Sequence, residues 1–200
     1  MLNNPGARQV ITAVLLPPAK FLLRIKVSPD VITLVGTLGV VLSALICFPH
    51  GRFILGVVLI TAFALSDLLD GTMARLAGTS GPWGNFLDAT LDRIADGAIF
   101  AAFIWWALLN DQLGVGLAAS LALVTGQVTS YAKARAEAVG ATANVGIAER
   151  AERLIIVLFA AFLTGFGVPY VLPIALWLIG ALGVITIVQR MVYVRGQLRT

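Results

Sequence analysis

Two residue types central to metal and redox chemistry are almost missing: the 200-residue chain has one cysteine and one histidine. Cys47 cannot form an intramolecular disulfide, and its apolar neighbours imply neither a thiolate metal site nor a redox centre. His50, alone between Pro49 and Gly51, reads as a loop residue rather than a ligand. Charge is scarce as well, 12% of residues against about 25% in a soluble domain. With 59% apolar residues and a mean hydropathy of +0.95, the composition is that of a membrane protein. No secretory leader is expected, because the first apolar run, Val10 to Leu16, ends in Pro17-Pro18 without a small-x-small cleavage site. Nor is an internal repeat, a low-complexity tract or a second domain expected.

What the chain has in quantity is apolar helix. Crossing the hydrocarbon core takes about 20 mostly apolar residues. Six stretches qualify, near 31–48, 53–69, 91–109, 113–131, 154–168 and 171–194, most of them separated by Gly, Pro, Asn or Asp. Ser28 and Pro29 suit the start of the first, as N-cap and first helical residue. Upstream, residues 7–27 mix aliphatic runs with Arg8, Lys20, Arg24 and Lys26. That predicts an amphipathic helix in the headgroup plane, broken near Pro17-Pro18. The expected fold is all-α: a juxtamembrane segment over residues 1–27, then a domain of six transmembrane helices over 28–200. With both termini inside, Arg52 is the one outward-facing residue among 14 lysines and arginines. This positive-inside bias predicts a multi-pass protein of the cytoplasmic membrane, with the hairpin joining spans two and three on the cytoplasmic side. The net charge of +4 is then a matter of topology and of attraction to lipid or phosphate, and implies no nucleic acid.

The chemistry is concentrated in that hairpin. It reads Asp67-Leu-Leu-Asp70-Gly71-Thr-Met-Ala-Arg75, then eight residues, then Gly84-Asn-Phe-Leu-Asp88-Ala-Thr-Leu-Asp92. Spacings of three and four put each acid pair on one helix face. A carboxylate within a span costs about 2.5–3.5 kcal/mol, and two of them about 5 Å apart repel by roughly 3 kcal/mol more at an effective dielectric near 20. Arg75 and Arg93 are too few to neutralise four acids, whereas divalent metal is sufficient. An all-oxygen ligand set favours Mg²⁺ or Mn²⁺ over Zn²⁺. Four acids can hold two ions, the arrangement that clamps both oxygens of a phosphoryl displacement. Gly71 and Gly84, each one turn from an acid, give room either for a bulky ligand or for close helix packing. A divalent-cation channel or transporter also needs intramembrane acids. Such a protein would spread them through the membrane depth, and here they gather on one side.

The pattern Asp-x2-Asp-Gly-x2-Ala-Arg-x8-Gly-x3-Asp-x3-Asp resembles the signature of the CDP-alcohol phosphotransferases. The resemblance implies a CDP-linked alcohol as substrate, CDP-diacylglycerol in the lipid-synthesising branch. It implies Asp67, Asp70 and Asp88 as metal ligands, and Asp92 as both ligand and general base. Gly71, Arg75, Gly84 and the loop around Gly81 match positions lining the nucleotide and diphosphate. Asp30, Val31, Ile32 and Thr33 match a short nucleotide-contacting segment. A homodimer is implied as well.

The acceptor is read from the helices further on. Lys133, Arg135, Arg153 and Arg190 stand near three helix ends and can cage a phosphate dianion, although positive-inside anchoring accounts for any one of them. The strings Ser130-Tyr-Ala-Lys-Ala-Arg-Ala-Glu-Ala and Glu149-Arg-Ala-Glu-Arg-Leu-Ile-Ile-Val resemble the bacterial branch that uses inositol phosphate, a likeness running from about Ser28 to Arg190. It implies Ser130, Lys133, Arg135, Arg153 and Arg190 as the inositol-phosphate pocket. The implied reaction moves the phosphatidyl group of CDP-diacylglycerol to 1D-myo-inositol 3-phosphate and releases CMP. Glycerol 3-phosphate, giving phosphatidylglycerophosphate, is the alternative acceptor within the family. Ala151 stands where that branch would carry proline, which is expected to soften the helix start and to remove no functional group.

Overall fold

The structure, a computed structural model, describes residues 5–147 and 149–199. Residues 1–4, which open the expected juxtamembrane segment, lie outside the described residues. Every element among those described is a helix: α1 (Pro5–Arg24), α2 (Pro29–Cys47), α3 (Phe53–Ala64), α4 (Ser66–Ala77), α5 (Pro82–Leu109), α6 (Leu113–Ala138), α7 (Arg150–Gly165) and α8 (Val171–Gln197). Four stretches are long and apolar enough to cross a membrane: Pro29–Cys47, Phe53–Ala77, Leu113–Ala138 and Val171–Gln197. The expected third and fifth spans exist as helices but fall short of that measure. Asp92, Arg93 and Asp96 interrupt the apolar run of α5, and α7 has only 16 residues.

One expectation is corrected at the start. α1 runs unbroken through Pro17 and Pro18. Each interior proline gives up one backbone hydrogen bond and crowds the carbonyl four residues back, but its φ near −65° is a helical value, and here the helix continues past both.

The chain divides into two compact units. The first is Met1–Leu42 with Leu59–Ala95. In it α1 packs on α4, which is why the division does not fall at residue 27. Ala19 is fully buried, while Phe21 and Ile25 stay exposed beside Lys20 and Arg24. A side chain at Gly36 would overlap the Ser66 hydroxyl, and one at Gly39 the Phe63 ring, so α2 lies tight on the short break between α3 and α4. α4 continues past Leu69, where hydropathy alone would end it. It stops at Gly78, whose φ of 67° is a left-handed cap that glycine adopts without strain. Pro82 then opens α5, in the first turn, where its missing N–H has no intrahelical partner to lose.

The second unit is Ser43–Val58 with Asp96–Thr200. Phe48 stacks on Phe103 at 4.6 Å, and Phe53 meets Trp106 edge-on at 5.2 Å. α6 and α8 approach through small residues: Gly180 against Leu121, Gly183 against Thr125, and the fully buried Ala118, Ala119 and Ala122. The connection before α7 is strapped to α8 by Gln197, which accepts from the Thr142 N–H at 2.9 Å and donates to its carbonyl at 2.7 Å. Glu149 and Glu152 form a reciprocal capping box at the start of α7. That box closes the helix end where Ala151 replaces the expected proline.

Candidate active site

The first turn of α4 carries Asp67, and α5 carries Asp88 and Asp92. One carboxylate oxygen from each lies within 4.8 Å of the other two. Octahedral Mg²⁺ holds its ligands at 2.0–2.1 Å, so opposite donors stand about 4.2 Å apart. The triad is therefore near the span that one hard divalent ion closes, and its donors are of the matching chemistry. Asp67 and Asp92 are half-buried and Asp88 is exposed, which leaves the cluster open on one side. The fourth acid of the motif stands apart from this triad. Asp70 is buried and accepts a hydrogen bond of 2.5 Å from the Thr33 hydroxyl, the short length of a charge-assisted O–H···O⁻ contact.

The residues expected to line the nucleotide lie at the start of α2, on α4, and in or just after the α4–α5 connection. Thr33 also donates to the Pro29 carbonyl at 3.2 Å, so it ties the start of α2 to α4. Asp30 accepts from the Trp83 indole N–H at 3.0 Å, which ties α2 to the start of α5. Val31 is exposed and Ile32 half-buried on the same turn. Arg75 donates to the Thr72 hydroxyl at 3.1 Å, and its guanidinium lies 3.8 Å from where a Gly71 side chain would begin. No described atom comes within 4 Å of such a position at Gly84, and the nearest at Gly81 is a backbone oxygen at 4.0 Å. Helix packing within this unit therefore does not explain these glycines, which weighs toward room for a ligand.

In the second unit α6 presents Gly126, Ser130 and Lys133 at intervals of four and three, hence on one face. Arg153 of α7 is 2% exposed and lays its guanidinium against Gly126. Arg190 of α8, also buried, donates to the Thr129 carbonyl at 2.6 Å and the Val145 carbonyl at 2.9 Å, with Glu149 at 4.0 Å. Ser130, Arg153 and Arg190 thus converge on one stretch of α6, with Lys133 one turn further along. Two residues past Lys133, Arg135 has turned about 200° around the helix, and it lines a groove between α6 and α8 with Tyr131, Arg190 and Arg195.

Two residues were missed in the sequence. Trp83 fastens Asp30, and the signal available was only its place inside the motif's eight-residue gap. Asp96, 5% exposed, pairs with Arg150 at 3.1 Å and Arg153 at 3.9 Å. Its signal was the continued four-residue spacing of Asp88, Asp92 and Asp96.

Apolar helices of membrane length, together with an acid triad shared by two helices, mark a membrane protein with a candidate divalent-metal site. Residues 26–192 match the CDP-alcohol phosphatidyltransferase family, and the chain belongs to it. It is 49% identical to the phosphatidylinositol phosphate synthase of Streptomyces avermitilis, over 97% of this chain and 83% of that one. Identity to the enzyme of that name from Corynebacterium glutamicum is 45%, over 96% and 88%. Among solved structures, Mycobacterium tuberculosis phosphatidylinositol phosphate synthase with CDP-DAG bound superimposes with a TM-score of 0.88 at 44% identity, covering 91% of this chain and 94% of that one. The same synthase in complex with manganese and citrate gives 0.85 at 45% identity, covering 89% and 87%.

Proposed function

We infer that this chain catalyses the reaction of a phosphatidylinositol phosphate synthase. It transfers the phosphatidyl group of CDP-diacylglycerol to 1D-myo-inositol 3-phosphate and releases CMP. What carries the reading is identity of 43–49% over nearly the whole chain to relatives that share that function.

Asp67, Asp70, Asp88 and Asp92 hold the divalent metal, as Mg²⁺ or Mn²⁺ and as two ions per site. Bound there, the metal neutralises the diphosphate as charge shifts during transfer. Asp92 takes the proton of the attacking inositol hydroxyl. That oxygen bonds to the phosphorus bearing the diacylglycerol, the bond to the CMP oxygen breaks in line, and CMP departs. Asp30, Val31, Ile32, Thr33, Gly71, Arg75, Gly81 and Gly84 receive the nucleotide and diphosphate. Ser130, Lys133, Arg135, Arg153 and Arg190 receive the acceptor's phosphate, a reading supported by the approach of Arg153 and Arg190 to α6 and by the groove that Arg135 shares with Arg190.

The working topology is six spans, with α5 and α7 completing the four apolar stretches, and with α1 in the headgroup plane. Exposed Phe21 and Ile25 beside Lys20 and Arg24 support that place for α1. Both termini and the acids face the cytoplasm, and the functional unit is a homodimer, which native mass spectrometry in detergent tests directly. The functional reading is tested by offering purified protein CDP-diacylglycerol with inositol phosphate, inositol or glycerol 3-phosphate. CMP release with inositol phosphate alone is expected. Release with glycerol 3-phosphate instead would transfer the assignment to phosphatidylglycerophosphate synthesis.

A further inference from the structure

Asp96 has no part in the chemistry described so far, yet it is a carboxylate held 5% exposed on α5. A buried carboxylate persists only where cations compensate it, and here two do, in different ways. The Arg150 Nε–H donates to Oδ1 at 3.1 Å, a hydrogen bond that sets the carboxylate's orientation. Arg153 Nη2 stands 3.9 Å from Oδ2, too far for a hydrogen bond. That second contact acts through charge. On its other side Arg153 lies on Gly126, its Nε 3.5 Å from where a side chain would begin. Carboxylate on one side and bare helix on the other leave the guanidinium little freedom.

We propose that Asp96 is a positioning residue for the acceptor's phosphate: braced by Arg150, it holds the Arg153 guanidinium in the orientation that receives a phosphate dianion. The proposal rests on the reading of Arg153 as an acceptor-binding residue. A phosphate arriving at a fixed guanidinium does not have to order a long side chain as it binds. Between turnovers Asp96 also keeps the two arginines compensated. An Asp96 that merely bolts α5 to α7 would differ in a measurable way. Loss of a bolt weakens the fold and disturbs both substrates, whereas loss of a positioning residue acts on the acceptor alone, through Arg153.

The test compares Asp96→Asn, Arg153→Gln and the double variant in the full-length protein, measuring KM for inositol phosphate, kcat and binding of CDP-diacylglycerol. Asp96→Asn is expected to raise the acceptor KM by about tenfold or more, the scale on which supporting residues act on a binding group. Its kcat and CDP-diacylglycerol affinity should stay within about threefold of the parent. The double variant should be no worse than Arg153→Gln alone, because both changes act on one guanidinium. An unchanged KM in Asp96→Asn, or effects that multiply in the double variant, would overturn the proposal while leaving Arg153 in the acceptor site. An unchanged KM in Arg153→Gln would overturn both. If Asp96→Asn does not fold, Asp96→Glu carries the test, since it keeps the charge and moves it by one methylene. A KM raised by about threefold with CDP-diacylglycerol binding intact is then expected, and an unchanged KM refutes the positioning role.

Discussion

Three carboxylate oxygens gathered within 4.8 Å repel by about 3 kcal/mol per pair at an effective dielectric near 20, and by less where water reaches Asp88. Asp67→Asn and Asp88→Asn each remove an anionic ligand and relieve part of that repulsion. Both variants should be inactive, with thermal stability in metal-free detergent equal to or above the parent's. Measurable turnover in either, or turnover of the parent in excess chelator, would rule out the metal site. Asp70→Asn should be inactive too but gain no stability, because it gives up the charge-assisted bond from Thr33. Asp92→Asn should depress kcat while CDP-diacylglycerol binding largely survives on the remaining acids. A raised lipid KM with kcat intact would remove Asp92 from the role of base. At this scale the sequence was highly legible, since four acids at helical spacing in an oily chain admit few explanations. The turn of Asp70 toward Thr33 was not, because it depends on how closely α2 approaches α4.

Helix geometry separates residues that a linear string keeps together. Lys133 and Arg135 are two positions apart in one cationic motif, but α6 points them to nearly opposite sides. Lys133→Gln should weaken inositol phosphate by roughly ten- to a hundredfold, the loss of one charge-assisted contact at about 1.5–3 kcal/mol. Arg135→Gln, at a residue that reaches the site from the groove shared with Arg190, should weaken it on the same scale. Acceptor titrations on the two purified variants decide this, and a loss below about threefold would remove Arg135 from the site. Elements also sort the glycines. Gly39→Leu drives a side chain into the Phe63 ring and should lower Tm, whereas Gly84→Leu enters open space and should leave Tm unchanged while raising the KM for CDP-diacylglycerol. Both glycines look alike in the sequence. Only the neighbouring element tells packing from clearance, just as only the approach of α7 to α5 reveals the Asp96 pairs.

For the whole molecule, α5 and α7 fall short of the span measure for different reasons: charge interrupts α5, and α7 is short. The charges that interrupt α5, Asp92, Arg93 and Asp96, include the proposed base and the carboxylate proposed to steady Arg153. Along α5, hydropathy is therefore weakest where the proposed function is densest, and the count of spans has to come from charge placement. That placement predicts the orientation, because six spans with both termini inside would leave Arg52 alone on the opposite side from the other lysines and arginines. With the buried Cys47 replaced by alanine, single cysteines at Ser80, between α4 and α5, and at Asp111, between α5 and α6, report the two sides. In intact cells an impermeant maleimide should label Asp111→Cys directly and Ser80→Cys only after permeabilisation. The reverse pattern would put the acid triad outside. Inositol phosphate and the CDP headgroup would then have to be supplied from the wrong compartment, and the topology proposed here would fall even if the purified enzyme remained active.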